Sequence, residues 1–551
     1  MKSCEGDDLM SEQENLKKQS TTKGFAILSA ASFMVKLLSL LYVPFLIKIL
    51  GEQGYGVYSS AYSIFVYVYI LTNSGIPVAI SKMVSELIAL GNYKDAVRTF
   101  KIARFLLLIL GLIMSLLMLI FAAPLANWEN SATARLAIMS LAPTILITSV
   151  LSAYRGYFQG RGNMSPTAVS QVLEQIANTI FSLIFAAYFI RYGIAAGAAG
   201  GTIGTSVGAL VAVIYMIYTY EKNKVFRVPK GYSKLEIKRF TTKKLIKKLL
   251  SYSVPMTVCL GLQQAGLLID LRLVKSRMLA VGINKAQVDV LWGVLSQYTT
   301  LIGVPIAIIS SLAITILPSI SSLMALKDKK AVRDKINYAI RLCFLVAVPS
   351  AVGLAVLAKP IVYFIQYGSD VSRLLMYGSV VIVLMAVVSI QTSILQGLGK
   401  LYLVTFFAVL GLIGKIIINY IFVAIPSFNI LGAVMANGVS FAIPLILNHI
   451  TINKVLRVRI KLSSHAIKPI IASGVMAIVA KLMYSNFNFI CSFLKEGYFA
   501  NAIAILIAIL FAILTYFFVL VLIGGITKED LEVFPRKITK FIPKSILNRI
   551  R

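Results

Sequence analysis

Cysteine and histidine, the residues that most often build disulfide frameworks and metal sites, are scarce in this chain. Its 551 residues include four cysteines and two histidines. The cysteines lie far apart, and three of them fall in or beside apolar stretches: Cys4, Cys259, Cys343 and Cys491. They are typical of packing residues, and the separated His449 and His465 do not indicate a histidine-based metal site. We therefore predict no metal and no cofactor.

The sequence also lacks the patterns that indicate catalysis. The segment Gly397-Leu398-Gly399-Lys400 is without the upstream glycine and the following serine or threonine of a Walker A loop, so it predicts no nucleotide site of that kind. The loops contain no cluster of carboxylates that would suggest a glycosyltransferase or a phosphatase. We expect a protein that is not an enzyme.

Acidic residues are few, because 21 Asp and Glu oppose 54 Lys and Arg and leave a formal net charge of +33. In a soluble protein this excess would suggest nucleic acid as a partner. Here the basic residues lie in short loops between apolar stretches, which favours the positive-inside rule and contact with anionic membrane lipids. We predict anionic lipids, and no nucleic acid, as partners.

Apolar length is what the chain has in abundance. Hydrophobic residues make up 58% of the sequence, and the mean hydropathy is +0.85. Stretches of about 20 apolar residues cross a bilayer as helices, so we predict an all-α polytopic membrane protein. Fourteen spans are predicted, at residues 25–50, 56–80, 102–123, 133–155, 164–190, 193–219, 249–279, 288–317, 337–360, 374–397, 401–425, 430–452, 466–486 and 499–525.

Basic residues alternate between the loops of this layout. The even-numbered loops are basic, and the loop after span six carries eleven basic residues from Lys222 to Lys248. The odd-numbered loops are nearly free of them, as at Trp128 and Glu129. By the positive-inside rule we predict a multi-pass protein of the bacterial plasma membrane with both termini in the cytoplasm.

Two short patterns recur at a spacing of 237 residues. Gly56-Val57-x-Ser59 returns as Gly293-Val294-x-Ser296, and Gln159-Gly160-x-Gly162 returns as Gln396-Gly397-x-Gly399. The offset predicts a parallel repeat of six spans, with two lobes and a substrate site at the seam between them. The predicted regions are a cytoplasmic segment 1–24, lobes 25–220 and 249–453 joined by a basic linker 221–248, an appended helix pair 454–526, and a basic tail 527–551.

Ionisable residues inside apolar spans are the candidates for a site, because such groups are costly at membrane depth. Lys36 lies near the middle of span one, about 17 Å from its nearer end, which is too far for easy snorkelling. The candidate cavity residues are three cations and two acids: Lys36, Arg272, Lys415, Glu174 and Asp270. Cations from both lobes would suit an anionic phosphate or pyrophosphate substrate.

Structural alternatives stay open for these charges. Lys36 and Lys415 could belong to buried ion pairs, as could Glu174, and Asp270 could neutralise a neighbouring cation. Two further basic residues of span seven are interpreted as the outer flank of their helix: Lys275 and Arg277.

Two cytoplasmic segments carry a family resemblance. Tyr154-Arg155-Gly156-Tyr157-Phe158-Gln159-Gly160-Arg161-Gly162 follows span four, and Leu395-Gln396-Gly397-Leu398-Gly399 follows span ten. With the span layout, they resemble the polysaccharide-transport and MurJ-type branch of the multidrug/oligosaccharidyl-lipid/polysaccharide exporter superfamily. Within it the chain is most similar to the Gram-positive lipid II flippases and the stage V sporulation protein B group. The motif residues are Arg155, Gly156, Gln159, Gly160 and Gly162, with Gln396, Gly397 and Gly399 in the second copy.

The resemblance implies a function and a cavity lined by cations. Such proteins move undecaprenyl-pyrophosphate-linked glycans, such as lipid II, from the inner to the outer leaflet by alternating access. Lys36 matches a cation of span one, where arginine is common in the family. Other members have an arginine in span eight, but this chain has none between Val290 and Leu317.

The resemblance also implies an ion site in some members. These bind sodium through an acid on span seven and polar residues four apart on span eleven. Asp270 fits the acid, and Lys415 and Asn419 occupy the pair. Because an ammonium beside a carboxylate neutralises it as a bound cation would, we predict an Asp270–Lys415 ion pair and transport that does not need sodium.

Two other functions are compatible with parts of the sequence. One is a cation-coupled multidrug exporter of the related branch, which usually has twelve spans, so the extra pair at 466–525 argues against it. The other is a non-transporting scaffold with cell-wall synthesis proteins as partners. A scaffold has no reason to keep charges at the middle of its spans.

Overall fold

The structure, a computed structural model, describes residues 21–222, 239–325, 328–457, 460–494 and 497–525. Cys4, most of the segment 1–24, most of the linker 221–248 and the tail 527–551 lie outside these ranges. Over the described residues the chain forms eighteen α-helices and two 3₁₀ turns and contains no strand. The all-α fold class is confirmed.

Seven helices precede the linker and eleven follow it within the described ranges. The first seven are α1 (Thr21–Asn73), α2 (Gly75–Ala89), α3 (Tyr93–Ile120), α4 (Ala122–Trp128), α5 (Arg135–Gly160), α6 (Ser165–Phe189) and α7 (Ile194–Lys222). The others are α8 (Thr242–Gln264), α9 (Gly266–Ala280), α10 (Lys285–Ala325), α11 (Lys329–Val356), α12 (Ala358–Ile365), α13 (Asp370–Gly378), α14 (Val380–Gly397), α15 (Leu401–Phe422), α16 (Ile430–Leu456), α17 (Leu462–Leu494) and α18 (Tyr498–Leu522).

Thirteen stretches of the described chain are long and apolar enough to cross a membrane. The first, Ile27–Ile88, has 62 residues, and its helix is interrupted at Gly51, where φ is 72° and ψ is 169°. The prediction of fourteen spans divides this stretch in two, near that break. The multi-pass membrane class is confirmed, while the number fourteen stays a prediction.

The chain clusters into two compact units, each with its own core. Unit 1 takes in the described residues of 1–39, 61–128 and 132–264. Its helices α6 and α7 pack closely because Gly200, Gly204 and Gly208 follow one another at every fourth position on α7. A Cβ on Gly204 would lie 2.2 Å from Ser182 Oγ on α6, so only glycine permits this approach.

Unit 2 takes in the described residues of 40–60, 129–131 and 265–551. A buried cluster in this unit joins α10, α11 and α14 through branched aliphatic side chains, among them Ile309, Ile336 and Ile390. These positions face inward on helices whose other faces carry exposed apolar residues, as expected for helices whose outer faces meet lipid. The units differ from the predicted lobes 25–220 and 249–453 at residues 40–60, 129–131 and 249–264, and the repeat itself stays a prediction.

The two copies of the Gln-Gly-x-Gly pattern end helices α5 and α14 with the same geometry. Gly162 and Gly399 both have φ of 75°, a left-handed conformation that favours glycine. The amide N–H of Gly162 donates to Gln159 O at 2.9 Å, and that of Gly399 donates to Gln396 O at 3.0 Å. The next residue in each copy donates to the carbonyl five positions back, which completes a Schellman cap. The final glycine of the pattern therefore terminates a helix.

Candidate functional site

Unit 2 contains a buried site built from α9 and α15. Lys415 and Asn419 lie four residues apart, so they share one face of α15, and they meet Asp270 of α9. Lys415 Nζ lies 2.5 Å from Asp270 Oδ2, and Asn419 Nδ2 donates to Asp270 Oδ1 at 2.8 Å. Lys415 Nζ also donates to the carbonyl of Gly266 at 3.4 Å. All three predicted residues come together as a compact, nearly solvent-free group.

The donor set at Asp270 does not fit a sodium ion. Each carboxylate oxygen already has a partner, one the ammonium of Lys415 and the other the amide of Asn419. The ammonium of Lys415 supplies the single positive charge that sodium would bring. It also contacts Asp270 Oδ2, the oxygen that would otherwise bind sodium. The pair is electrically neutral, which a buried carboxylate requires.

Unit 1 contains a second charged pair, formed by α5 and α6. Arg155 Nη2 donates to Glu174 Oε2 at 2.7 Å, and Arg155 Nε donates to Ser170 Oγ at 2.9 Å. Ser170 and Glu174 are four apart, so one face of α6 receives the guanidinium fork. The sequence presented Arg155 as a motif residue and Glu174 as a cavity residue, and the structure brings them together. Side-chain exposures of 13% and 26% leave both within reach of solvent.

Lys36 differs from these paired charges. It lies on α1 in unit 1, fifteen residues after the start of the helix at Thr21 and fifteen before the break at Gly51. Its side chain is exposed, as are those of the adjacent Phe33 and Met34. Within the described part of the chain no carboxylate pairs with its ammonium. Lys36 therefore stays a candidate for binding an anion.

Arg272 and Arg277 lie on α9 in unit 2, beyond Asp270. Arg272 is half-buried. Arg277 stacks over the ring of Tyr420, 4.0 Å from its centroid, and its Nε donates to the Tyr420 carbonyl at 3.1 Å. Arg277 thus makes the contacts of a basic residue near the end of its helix, while Arg272 stays a candidate for binding an anion.

The interpretation of Lys275 as an outer flank is wrong. Its side chain is 0% exposed, and its ammonium lies 2.9 Å from Asp289 Oδ1 and 3.7 Å from Glu129 Oε2. The reason is that α10 places Asp289 one turn after its start at Lys285, and the segment before α5 supplies Glu129, so the ammonium need not reach water. The sequence predicts Glu129 in a loop, and Asp289 was not predicted as a site residue. The signal for Asp289 was present, since it is an acid inside the predicted span 288–317.

Gly56 sets the position of Asp289. A Cβ on Gly56 would lie 1.8 Å from the Asp289 carbonyl oxygen, so α1 and α10 touch backbone to backbone here within unit 2. We expect Gly56→Ala to push the helices apart, at a cost of about 1–3 kcal/mol typical of overpacking. The measurement is the midpoint of thermal unfolding of the purified protein in detergent, which should fall by several degrees.

Gly303 on α10 is the matched control for this change. Nothing lies within 4 Å of the Cβ it would gain, so Gly303→Ala should keep or slightly raise the midpoint, as alanine favours helix. Equal midpoints for the two variants would contradict the close approach at Gly56.

Comparison with known proteins places the chain among transporters. It is 27% identical to stage V sporulation protein B of Bacillus subtilis (strain 168), over 82% of this chain and 87% of that protein. It is 24% identical to the lipid II flippase MurJ of the same organism, over 88% of this chain and 92% of that protein. A solved structure of lipid II flippase MurJ in an inward closed conformation matches with a TM-score of 0.64 and 17% identity, covering 89% of this chain and 98% of that one.

These similarities confirm the resemblance read from the motif, and they identify a multi-pass transporter of the plasma membrane rather than an enzyme. The structural match at 17% identity shows a shared fold. The model of the family described as polysaccharide biosynthesis protein matches residues 21–324, which is more than half of the 551 residues. The chain belongs to the polysaccharide biosynthesis protein family.

Proposed function

We propose that this transporter moves an undecaprenyl-pyrophosphate-linked glycan, lipid II or a related lipid-linked oligosaccharide, from the inner to the outer leaflet by alternating access. The membership of the family and the similarity to a lipid II flippase support this substrate class. Both termini would lie in the cytoplasm, as the loop charges predict.

Lys36 is the observation that carries the proposal. A lysine ammonium at the middle of an apolar helix is costly unless it meets a partner of opposite charge. Two of the other charged sites satisfy themselves, because Lys415 pairs with Asp270 and Arg155 pairs with Glu174. Lys36 lacks such a pair within the described residues, so an anionic substrate is the partner that would complete it. A pyrophosphate offers several acceptor oxygens to one ammonium.

Arg272 is a second candidate contact for the pyrophosphate. Its guanidinium can bind two phosphate oxygens at once, which an ammonium cannot do with the same fixed geometry. Glu174, Asp270 and Lys415, also predicted as cavity residues, have their charges balanced by neighbours. They fit the role of holding helices better than the role of contacting an anion.

Reconstitution into vesicles tests the function directly. Proteoliposomes with fluorescent lipid II in one leaflet should transfer it to the other, measured by exposure to a membrane-impermeant quencher. A cationic dye typical of multidrug exporters should not be moved. Dye transport without lipid II transfer would favour the exporter, and neither activity in correctly folded protein would favour the scaffold.

The membrane potential is expected to drive this transfer. An anion that leaves a negative cytoplasm moves down the potential, and each charge is worth about 2.3 kcal/mol per 100 mV. With on the order of two charges on the pyrophosphate at neutral pH, the potential would supply roughly 4–5 kcal/mol without ATP. Clamping the potential at zero with valinomycin and equal potassium should slow net transfer. Undiminished net transfer at zero potential would contradict this energy source.

A further inference from the structure

The cluster of Glu129, Lys275 and Asp289 takes no part in the proposed contact with substrate. Glu129 follows α4, and Asn130 after it has φ of 61°, a left-handed turn that asparagine tolerates. This turn leads directly to Ser131, whose hydroxyl donates to Asp289 Oδ2 at 3.3 Å. The side chains of Lys275 and Glu129 are 0% exposed and that of Asp289 is 8% exposed. Unit 2 thus encloses two carboxylates and one ammonium.

The charges of this cluster do not balance when every group is ionised. One ammonium neutralises one carboxylate, and a second buried carboxylate leaves an uncompensated negative charge, which is expensive away from water. Asp289 holds the ammonium at 2.9 Å and also accepts from Ser131, so it is the satisfied acid.

Glu129 is the acid left without a hydrogen bond in the described chain. Its nearest cation is 3.7 Å away, and within the described residues neither of its oxygens has a hydrogen-bond partner. The carboxyl of Glu129 is buried, and the ammonium that it faces is already paired with Asp289. Of the two acids, Glu129 is therefore the one that would hold a proton. The hydroxyl of Ser60 lies beside this carboxyl, and it too is buried without a hydrogen-bond partner in the described chain.

We propose that Glu129 is a proton-binding site, closed over by Lys275 and Asp289, and that the segment 129–131 stays seated on this cluster only while the proton is bound. Proton binding makes the cluster neutral, and proton release adds the second buried charge. The loop that carries Glu129 is predicted to face outward, so the proton would come from the external solution. This site is independent of the transported substrate.

Burial is the main cause that raises the pKa of Glu129 from its ordinary value of 4.5 to about 7; Lys275 and the hydroxyl of Ser60 oppose this rise, and the charge of Asp289 adds to it. Lys275 and Asp289 are the charged groups that face the carboxyl, with Ser60 beside them. Because the seated form binds a proton more tightly than the released form, its stability is full below about pH 4.5. That stability is lost as the pH rises toward about 7 and above.

The two tryptophans of the chain make the site measurable. Trp128 precedes Glu129, and Trp292 lies one turn beyond Asp289. In a Trp292→Phe protein, the emission of Trp128 should change with pH in one step with its midpoint near pH 7. Adding Glu129→Gln should abolish the step, because glutamine resembles the protonated acid and does not titrate.

Two further variants separate proton binding at Glu129 from general effects of pH. Asp289→Asn removes the competing carboxylate, so that Lys275 pairs with Glu129 alone and favours its ionised form. The midpoint of the emission step should therefore move to lower pH by about one unit. Asp370→Asn, which removes an exposed carboxyl, should leave the midpoint unchanged. Infrared difference spectra of the protein with both tryptophans should show a carboxylic-acid carbonyl band that is lost across the same pH range and is absent in Glu129→Gln.

The proposal would be overturned by any of three results. One is an emission step that survives in Glu129→Gln, and another is an infrared spectrum without the Glu129 band. The third is a step driven by sodium at constant pH, which would make the cluster a metal-cation site. All of these are recorded without transport, so a failure of the flipping assay has no bearing on them.

Discussion

Lys36→Ala is expected to reduce lipid II flipping in proteoliposomes to near background while the protein still inserts and folds. Lys36 is exposed at mid-helix and has no carboxylate partner within the described residues, so its removal breaks no internal ion pair. A hydrogen bond to a charged group contributes about 1.5–3 kcal/mol, which corresponds to roughly tenfold to a hundredfold in binding of the pyrophosphate. The flipping rate at fixed protein density is the measurement.

Two control variants test whether this loss is specific to the charge of Lys36. Lys36→Arg keeps the charge and should retain much of the rate. Lys48→Ala, in the same helix but close to the break at Gly51, removes an exposed lysine for which no anion contact is proposed and should leave the rate unchanged. Transport by Lys36→Ala at the rate of the unmodified protein would refute the assignment of Lys36 to the substrate.

The helices of this protein could be predicted from sequence because the bilayer imposes a strong constraint. Backbone polar groups in lipid must be satisfied within the helix, so each long apolar stretch has one available structure. The break at Gly51 could be predicted less well. The predicted boundary between residues 50 and 56 falls beside Gly51, but the sequence predicts a loop there, whereas the residues on both sides of Gly51 are helical.

The Asp270–Lys415–Asn419 group shows which site residues the sequence could indicate. Each of the three is polar inside an apolar span, which is rare enough to be conspicuous, and the spacing of four puts Lys415 and Asn419 on one face. Their meeting with Asp270 came from the family resemblance and not from spacing, because α9 and α15 are separated by more than a hundred residues. The distance of 2.5 Å is known only from the fold.

The cluster around Lys275 could not be predicted for a related reason. Glu129 lies between helices, where an acid is ordinary and solvated, and only the fold shows that it is buried. Lys275 is near the end of α9, where snorkelling is the usual outcome for a lysine. A partner supplied by another segment changes that outcome, and such partners are set by tertiary packing rather than by local pattern.

The paired charges and Lys36 are proposed to have different roles. Asp270–Lys415 and Arg155–Glu174 each join two helices of one unit and carry no net charge. Neutral pairs of this kind hold helices together without attracting ions. Lys36, by contrast, has no carboxylate partner within the described residues, so we propose it as the group that attracts an anion.

Breaking the Asp270–Lys415 pair from one side is expected to destabilise the protein more than removing both charges. Lys415→Met leaves the carboxylate of Asp270 buried with only the amide of Asn419, and the loss of one partner of a buried pair costs about 3–5 kcal/mol. The double variant Asp270→Asn, Lys415→Met removes the second charge as well and should recover most of that loss. Thermal unfolding of both variants in detergent gives the comparison.

Sodium distinguishes this ion pair from a metal site. The unmodified protein should flip lipid II equally well in sodium or in potassium, because the ammonium of Lys415 already occupies the carboxylate. Lys415→Met frees Asp270 Oδ2 beside Asn419, so sodium should raise the unfolding temperature of this variant and not that of the double variant. Sodium-dependent flipping by the unmodified protein, or a double variant less stable than Lys415→Met, would show that Lys415 does not stand in for a bound cation.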